Sequence, residues 1–181
     1  MTGGKDRQVQ EIDQGGECTF LYSNVDSYLN KRSEFLTLIE EKKPKIIALT
    51  EIIAKNQQDV IEKEYEIPGY DIFMNEEPKL GVVIHTIKEL NAVEVKFPEN
   101  NEFEEGVWCS FIDGNKDSVL IGCLYRSPST TLENTQKMYS LLKSNVIDEY
   151  KKVCIVGDFN FPTIRWQGVW SSEFDNDFIE C

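Results

Sequence analysis

The sequence predicts an α/β fold in which two β-sheets pack face to face and helices cover their outer surfaces, a four-layer α/β/β/α sandwich. Two continuously apolar segments, 46–49 and 153–156, are typical of strands that are buried on both faces. Each segment leads into an acidic turn, at Glu51 and at Asp158. Helices interleaved with many strands of this kind favour two packed sheets with helical covers.

A strand and a helix precede the first buried strand. Residues 18–22 form a short β-prone segment. Residues 30–43 place apolar side chains on one helical face, and Pro44 is predicted to end that helix. A weaker helical pattern at 57–65 follows the buried strand.

The middle of the chain is predicted to be largely antiparallel. Its strands are separated by turn signals and occupy residues 70–75, 81–86, 92–97, 107–112 and 119–125. A long helix at 132–150, with Met138 and Leu141 in its inner stripe, then leads to the second buried strand.

Length and composition indicate one domain. A chain of 181 residues with 40% apolar content can bury a single sizeable core. Residues 1–17 are polar and without apolar periodicity, so we expect a flexible leader followed by the domain at 18–181. No apolar run approaches the roughly 20 residues that span a bilayer, and the N-terminus lacks the hydrophobic centre of a signal peptide. We therefore expect an intracellular protein without membrane association.

The net charge limits how the chain could bind nucleic acid. The sequence has 32 acidic and 19 basic residues, a formal net charge of −13, which repels a phosphate backbone. Tight DNA binding without metal is therefore disfavoured. A site that holds a divalent metal with carboxylates and touches DNA weakly remains compatible with this charge.

Four short segments at the ends of predicted strands carry polar side chains. In chain order they are Leu21-Tyr22-Ser23-Asn24, Ile47-Ala48-Leu49-Thr50-Glu51, Leu124-Tyr125-Arg126-Ser127-Pro128 and Val156-Gly157-Asp158-Phe159-Asn160-Phe161-Pro162. Together they resemble the motifs of the endonuclease/exonuclease/phosphatase (DNase I-like) superfamily. The Tyr-Arg-x-Pro form and the segment 164–166 are similar to the endonuclease domains of non-LTR retrotransposons.

These residue types suit phosphodiester hydrolysis. Mg²⁺ takes hard oxygen ligands and keeps several waters, so one carboxylate and phosphate oxygens can hold it, and Glu51 is the candidate ligand. Asp158 would orient or deprotonate the attacking water, and Asn160 would donate its amide to charge that develops on the phosphate. The alternatives are a surface glutamate and a structural Asp/Asn turn.

Three further residues have candidate roles, of which the first two are implied by the resemblance and the third by the chemistry of arginine. Asn24 would support the metal and Asp158, and Tyr125 would donate a hydrogen bond to the scissile phosphate. Arg126 would clamp a neighbouring phosphate through its fork of donors. The alternatives are a loop cap at Asn24, an ordinary strand-end aromatic at Tyr125 and a solvated arginine at position 126.

The resemblance also implies a function. It predicts a nuclear, Mg²⁺-dependent endonuclease domain that nicks DNA, with Mn²⁺ as a possible substitute and a reverse transcriptase domain in the same polyprotein. Weak metal binding is expected between Glu51, Asn24 and Asp158. Two alternatives stay open: a non-catalytic or degenerate binding fragment of the same fold, and a phosphodiesterase that acts on a non-DNA phosphoester.

One part of the family pattern falls outside the sequence. Family members close with a Ser-Asp-His segment several tens of residues beyond Gly-Asp-Phe-Asn, whereas this chain ends at Cys181, 21 residues after Asn160. We therefore expect a fold that is incomplete at the C-terminus, low activity and self-association through an exposed sheet edge. The sole histidine, His85, is predicted to be an ordinary strand side chain.

Several aromatic and acidic side chains have competing interpretations. Trp108 lies within a predicted strand and is expected in the core, whereas Trp166 and Trp170 are open between core packing and base stacking. The acidic side chains of Glu102, Glu104 and Glu105 are predicted to lie in a solvated loop, with a second metal site as the alternative.

Overall fold

A computed structural model of the chain describes residues 9–10, 19–54, 60–75, 81–97 and 103–161. The strands are β1 (Val9–Gln10), β2 (Phe20–Asn24), β3 (Ile46–Thr50), β4 (Tyr70–Met74), β5 (Val82–Ile87), β6 (Val93–Glu94), β7 (Gly106–Ile112), β8 (Ser118–Tyr125) and β9 (Lys152–Asp158). The α-helices are α1 (Tyr28–Lys42), α2 (Leu132–Leu142) and α3 (Asn145–Asp148). No helix in these ranges is long and apolar enough to cross a membrane.

The first sheet has the strand order β1-β2-β3-β5-β4. Strands β2 and β3 are parallel, with Asn24 opposite Thr50, and β5 runs antiparallel to both β3 and β4. All five residues of β3 are buried, which confirms the prediction from its apolar run. The parallel pair therefore delivers the ends of β2 and β3 to one edge of the sheet.

The second sheet has the strand order β6-β7-β8-β9. Strands β7 and β8 form an antiparallel hairpin, whereas β8 and β9 are parallel, with Tyr125 opposite Asp158. Each sheet thus contains one parallel pair, and each pair ends in residues that the sequence analysis selected. Strand β9 is the outermost strand of this sheet within the described residues, and its side chains are exposed or half-buried.

Three apolar cores separate four layers. The core between the sheets includes Ala48, Ile84, Cys109 and Ile121, among others. A second core lies under α1, and a third packs α2 against the outer face of the second sheet through side chains such as Met138. The four-layer α/β/β/α sandwich that the sequence predicted is therefore confirmed.

The predicted helix at 132–150 is interrupted. Helix α2 ends at Leu142 and α3 begins at Asn145, because the Ser144 side chain caps the new helix by accepting a hydrogen bond from the Val146 amide at 3.2 Å. Within the described part of the predicted helix at 57–65, the structure has a 3₁₀ turn at Glu62–Glu64 instead of an α-helix.

Strand boundaries also differ from the sequence predictions. Strand β1 lies in the predicted leader and pairs with β2, and the sequence analysis did not predict it. Residues 1–8 and 11–18 lie outside the described residues. The predicted strand at 92–97 is reduced to Val93–Glu94.

The core position predicted for Trp108 is confirmed. Its side chain is 4% exposed and packs edge-on against Phe97, with 5.1 Å between ring centroids. Gly122 lies opposite Trp108 on β8, and a Cβ atom there would come within 2.3 Å of the indole ring. Trp166 and Trp170 lie outside the described residues.

Candidate active site at the ends of the parallel strands

The Asn24 side chain joins the two sheets at the end of β2. Its amide Nδ2 donates hydrogen bonds to Glu51 Oε1 at 2.8 Å and to Asp158 Oδ2 at 3.0 Å. One neutral amide therefore bridges a carboxylate from the first sheet and a carboxylate from the second. The structure thus brings together three of the residues that the sequence analysis selected, although they are up to 134 positions apart in the chain.

Glu51 occupies a backbone conformation that few non-glycine residues adopt. Its φ is 54°, in the left-handed region, directly after β3. The Glu51 carbonyl accepts a hydrogen bond from the Ser27 amide at 2.8 Å, and the Thr50 carbonyl accepts one from the Val25 amide at 3.0 Å. The segment after β2 therefore holds Glu51 in place. Strained backbone of this kind clusters at functional sites, where the surrounding structure maintains it.

Both carboxylate oxygens of Asp158 have hydrogen-bond donors. Oδ2 accepts from Asn24, and Oδ1 accepts from the backbone amide of Asn160 at 3.3 Å. Its carbonyl accepts from the Arg126 amide at 2.9 Å, which continues the β8–β9 pairing beyond the strand ends. The plane of this carboxylate is therefore fixed from two sides.

Tyr125 lies at the end of β8 beside the same carboxylates. Burial raises the pKa of its hydroxyl, and the negative charges of Glu51 and Asp158 and a hydrogen bond to Glu51 raise it further. The hydroxyl therefore stays protonated at neutral and alkaline pH and acts as a hydrogen-bond donor. The Tyr125 amide donates to the Glu105 carbonyl at 2.8 Å, which fixes the strand end.

Tyr22 also belongs to the site, although it was not among the site residues predicted from the sequence. Its hydroxyl lies 3.3 Å from Thr50 Oγ1. Burial raises the pKa of the Tyr22 hydroxyl, and the negative charges of Asp158 and Glu51 raise it further. The hydrogen bond with Thr50 lowers this pKa and offsets part of the increase. Strand alternation places Tyr22 on the same face of β2 as Asn24, and this spacing of two could have identified it.

Arg126 and Asn160 contact each other. Arg126 Nη1 donates to the Asn160 carbonyl at 2.9 Å, and Asn160 Nδ2 donates to the Arg126 carbonyl at 2.8 Å. Arg126 Nε donates to Thr135 Oγ1 at 3.2 Å, and its guanidinium carbon lies 4.4 Å from the centroid of the Phe161 ring. Both residues, which the sequence predicted as part of the site, thus lie next to Asp158. Both side chains donate hydrogen bonds to other groups of the protein.

The acidic loop before β7 is more structured than predicted. Glu105 Oε2 accepts hydrogen bonds from the Ser127 amide at 3.3 Å and from Asn134 Nδ2 at 3.2 Å. Asn134 also donates to Thr130 Oγ1 at 2.8 Å. Glu105 therefore connects the loop after Tyr125 to the start of α2 through hydrogen bonds. The sequence had predicted a solvated side chain at this position.

The donor set suits a hard divalent cation. In the described ranges, no cluster of three histidine, cysteine, aspartate or glutamate side chains could hold a metal ion. The candidate site instead offers two carboxylates and Asn24, whose Oδ1 is buried and has no hydrogen-bond partner. Oxygen ligands of this kind, supplemented by waters, are what Mg²⁺ and Mn²⁺ bind. A cation would also offset two like charges that only a neutral amide separates.

His85 lies in a different part of the protein. It is 1% exposed, and its Nε2 donates to the Tyr65 carbonyl at 2.8 Å. It lies opposite Ile47 on β3, on the sheet face that α1 covers, whereas the Asn24 face points toward the second sheet. The histidine is therefore a buried strand residue, as predicted.

The buried histidine predicts that acid destabilises the protein. Burial lowers the His85 pKa from 6.5 to about 4, so between these values the unfolded chain binds a proton that the folded chain excludes. This contribution to stability is fully present above pH 6.5 and is lost as pH falls toward 4. Between pH 7.5 and pH 5 it should amount to about 2 kcal/mol.

Urea unfolding at the two pH values measures this effect. His85→Gln retains a donor for the Tyr65 carbonyl but does not titrate. On acidification, the free energy of unfolding of this variant should therefore fall by about 2 kcal/mol less than that of the wild type. Equal losses in both proteins would contradict the assignment of a depressed pKa to His85.

Comparison with known proteins supports the fold. No protein-family model matches the chain, and no curated protein matches it. Its structure is similar to the AP endonuclease LMAP from Leishmania major, with a TM-score of 0.64 and 16% identity over 89% of this chain and 64% of that chain. It is also similar to the endonuclease domain of TRAS1, a telomere-specific non-LTR retrotransposon, with a TM-score of 0.61 and 13% identity over 89% of this chain and 69% of that chain.

A third similar structure contains nucleic acid. This 3′ phosphatase from Neisseria, bound to a product DNA hairpin, has a TM-score of 0.54 and 18% identity over 80% of this chain and 58% of that chain. The chain thus spans less than two thirds of the Leishmania and Neisseria proteins. At these identities the similarity establishes the arrangement of the sheets and helices. The chain has the DNase I-like fold, a four-layer α/β/β/α sandwich.

Proposed function

We propose that the chain forms the metal-binding and water-orienting part of a Mg²⁺-dependent phosphodiesterase, a DNA-nicking endonuclease of the non-LTR retrotransposon type. The observation that carries this proposal is the Asn24 amide, which joins the carboxylates of Glu51 and Asp158 at the ends of parallel strands from two sheets. Surface carboxylates with no common role would not require a shared amide donor between them.

Glu51 and the side-chain oxygen of Asn24 are the groups that would hold the ion. Mg²⁺, or Mn²⁺ in its place, would supply positive charge to an oxygen of the scissile phosphate. The unpartnered, buried Oδ1 of Asn24 supports this assignment, because buried polar atoms normally have a partner.

Asp158 would orient the attacking water and accept its proton. Two donors fix the orientation of this carboxylate, so the water can be held without reorganisation during the reaction. The water oxygen forms a bond to phosphorus while the bond from phosphorus to the leaving oxygen breaks, and solvent protonates the leaving oxygen.

Tyr125 and Asn160 would donate hydrogen bonds to the phosphate. The raised pKa of Tyr125 keeps its hydroxyl protonated over the working pH range. A primary amide has two N–H donors, and the bond to the Arg126 carbonyl uses one of those on Asn160. The second N–H would face charge that develops on the phosphate oxygens.

DNA is the substrate that we propose, although the chain would bind it weakly. The similar structures include two endonucleases and a phosphatase bound to a DNA product, but their identities are too low to transfer a substrate. The Tyr-Arg-x-Pro segment around Tyr125 favours DNA, since it resembles the retrotransposon endonucleases. With a net charge of −13, contact with phosphates would depend on the cation.

Plasmid nicking tests the proposal. We expect a version that carries the Ser-Asp-His segment to convert supercoiled plasmid to the nicked form in Mg²⁺ or Mn²⁺, and to be inactive in EDTA. Cleavage of a small synthetic phosphodiester without any nicking of the plasmid would indicate that the substrate is a phosphoester other than DNA. Nicking that persists in EDTA would contradict the role of the cation.

A further inference from the structure

We propose that Arg126 is a positioning residue that holds the turn carrying Asn160, rather than a ligand for a substrate phosphate. The kinetic consequence rests on the proposed function, whereas the structural consequence does not. The sequence predicted either a phosphate clamp or a solvated side chain at this position, and the geometry supports a third role.

The two residues hold each other through reciprocal hydrogen bonds. The guanidinium of Arg126 donates to the Asn160 carbonyl at 2.9 Å, and the amide of Asn160 donates to the Arg126 carbonyl at 2.8 Å. Each side chain therefore satisfies the backbone of the other across 34 positions of sequence. We call this pair of bonds the Arg126–Asn160 clasp.

Two further contacts fix the guanidinium in the clasp. Its Nε donates to Thr135 Oγ1 on α2 at 3.2 Å, and its carbon lies 4.4 Å from the centroid of the Phe161 ring. Phe161 in turn stacks against Tyr139, with 6.4 Å between centroids and 16° between the ring planes. The planar fork of arginine suits this combination of directed bonds and ring stacking, and a lysine ammonium cannot reproduce it.

The clasp acts on the residues that the proposed mechanism uses. Asn160 has a φ of 47°, and its backbone amide donates to Asp158 Oδ1 at 3.3 Å. Loss of the clasp would release the Asn160 turn and would remove one of the two donors that orient the Asp158 carboxylate. The side-chain amide of Asn160 would lose its fixed direction in the same event.

The same contacts argue against a phosphate clamp. A clamp presents its parallel N–H donors to the ligand. Here Nε and Nη1 donate to protein oxygens, and the Phe161 ring lies against the guanidinium. Each parallel pair of donors on a guanidinium includes Nε or Nη1, so a bidentate phosphate clamp would compete with the contacts that stabilise the turn.

The side-chain amide signal of Asn160 tests the clasp in the 181-residue chain, without substrate. In ¹⁵N-labelled protein, Arg126→Lys and Arg126→Met should both move this signal toward the position of exposed asparagines and increase its exchange with water. Lys151→Met, which removes the same charge at the exposed residue just before β9, should leave it unchanged. An unchanged Asn160 signal in folded Arg126→Lys would overturn the proposal.

A milder variant tests the clasp if Arg126→Met does not fold. Thr135→Val keeps the shape of the side chain but removes the acceptor for Arg126 Nε. It should shift the Asn160 signal in the same direction by a smaller amount. Absence of any shift in folded Thr135→Val would also count against the clasp.

Kinetics separates positioning from phosphate binding. Under the proposal, Arg126→Lys and Arg126→Met both lower kcat by about tenfold to hundredfold, while KM and the salt dependence of cleavage stay near the wild-type values. A phosphate clamp would instead be largely rescued by lysine, and Arg126→Met would raise KM and reduce the salt slope by about one charge. If the version that carries the Ser-Asp-His segment does not cleave before any substitution at Arg126, the proposed function fails, and the amide signal still decides on the clasp.

Discussion

Replacing Asp158 by alanine is expected to reduce plasmid nicking by roughly 10²- to 10³-fold in a version that carries the Ser-Asp-His segment. The variant loses the carboxylate that two donors orient toward the proposed water. Asn160→Ala should cause a loss of the same order, because it removes a donor to the phosphate and half of the Arg126–Asn160 clasp. Initial nicking rates in Mg²⁺ measure both effects.

A surface carboxylate provides the control for charge. Asp148 is exposed on α3, so Asp148→Ala makes the same chemical change away from the site and should nick at the wild-type rate. Equal nicking rates of Asp158→Ala and Asp148→Ala would refute the proposed role of Asp158 in orienting the water. The assay requires that both variants unfold cooperatively, since loss of the fold would also abolish nicking.

Replacing Gly157 by alanine is expected to destabilise the protein by at least about 3 kcal/mol. Gly157 lies opposite Leu124 on β8, and a Cβ atom at this position would lie 1.9 Å from the Leu124 carbonyl oxygen. The obstacle is the backbone of a buried neighbouring strand, so relief requires separating β8 from β9. Urea unfolding measures the loss of stability.

Gly114 offers a matched control for this glycine. It lies in the turn between β7 and β8, and nothing lies within 4 Å of a Cβ atom built on it. Gly114→Ala should change the free energy of unfolding by less than about 0.5 kcal/mol. Equal stability of the two alanine variants would mean that β9 can move away from β8 at little cost.

The glycine also links the fold to the site. Because Gly157 allows β9 to approach β8 closely, Asp158 comes directly opposite Tyr125 at the strand ends. In the sequence, Gly157 immediately precedes Asp158. Glycine and aspartate are both common in turns, so their adjacency alone does not explain why a glycine occupies position 157. The structure shows that close strand approach is one physical reason for the glycine.

The sequence predicted the parts of the fold that local patterns determine. The apolar segments at 46–49 and 153–156 correspond to the strands β3 and β9. The predicted burial on both faces is confirmed for β3, whereas the side chains of β9, the outermost described strand, are exposed or half-buried. Four polar strand ends were selected because together, and in order, they resemble the motifs of a known superfamily. The structure then brought Asn24, Glu51 and Asp158 into contact.

The remaining features depend on tertiary contacts that no local pattern contains. The Arg126–Asn160 clasp spans 34 positions, and its arginine looks like a solvated side chain beside a proline when only the neighbouring sequence is considered. Helix 132–150 shows continuous helical periodicity, yet the Ser144 cap divides it. Strand β1 has only two residues, too few for alternation to be recognised.

Cation binding at Glu51 tests the central claim most directly. Titration of the 181-residue chain with Mn²⁺, followed by electron paramagnetic resonance, should detect a weak site that Glu51→Gln and Asp158→Asn each weaken by at least about tenfold. Glu133→Gln is the control for general attraction to an acidic protein, because the Glu133 side chain is 82% exposed on α2, and it should bind Mn²⁺ like the wild type. Equal Mn²⁺ affinity in Glu51→Gln, Glu133→Gln and the wild-type chain would contradict the assignment of this site as a metal centre.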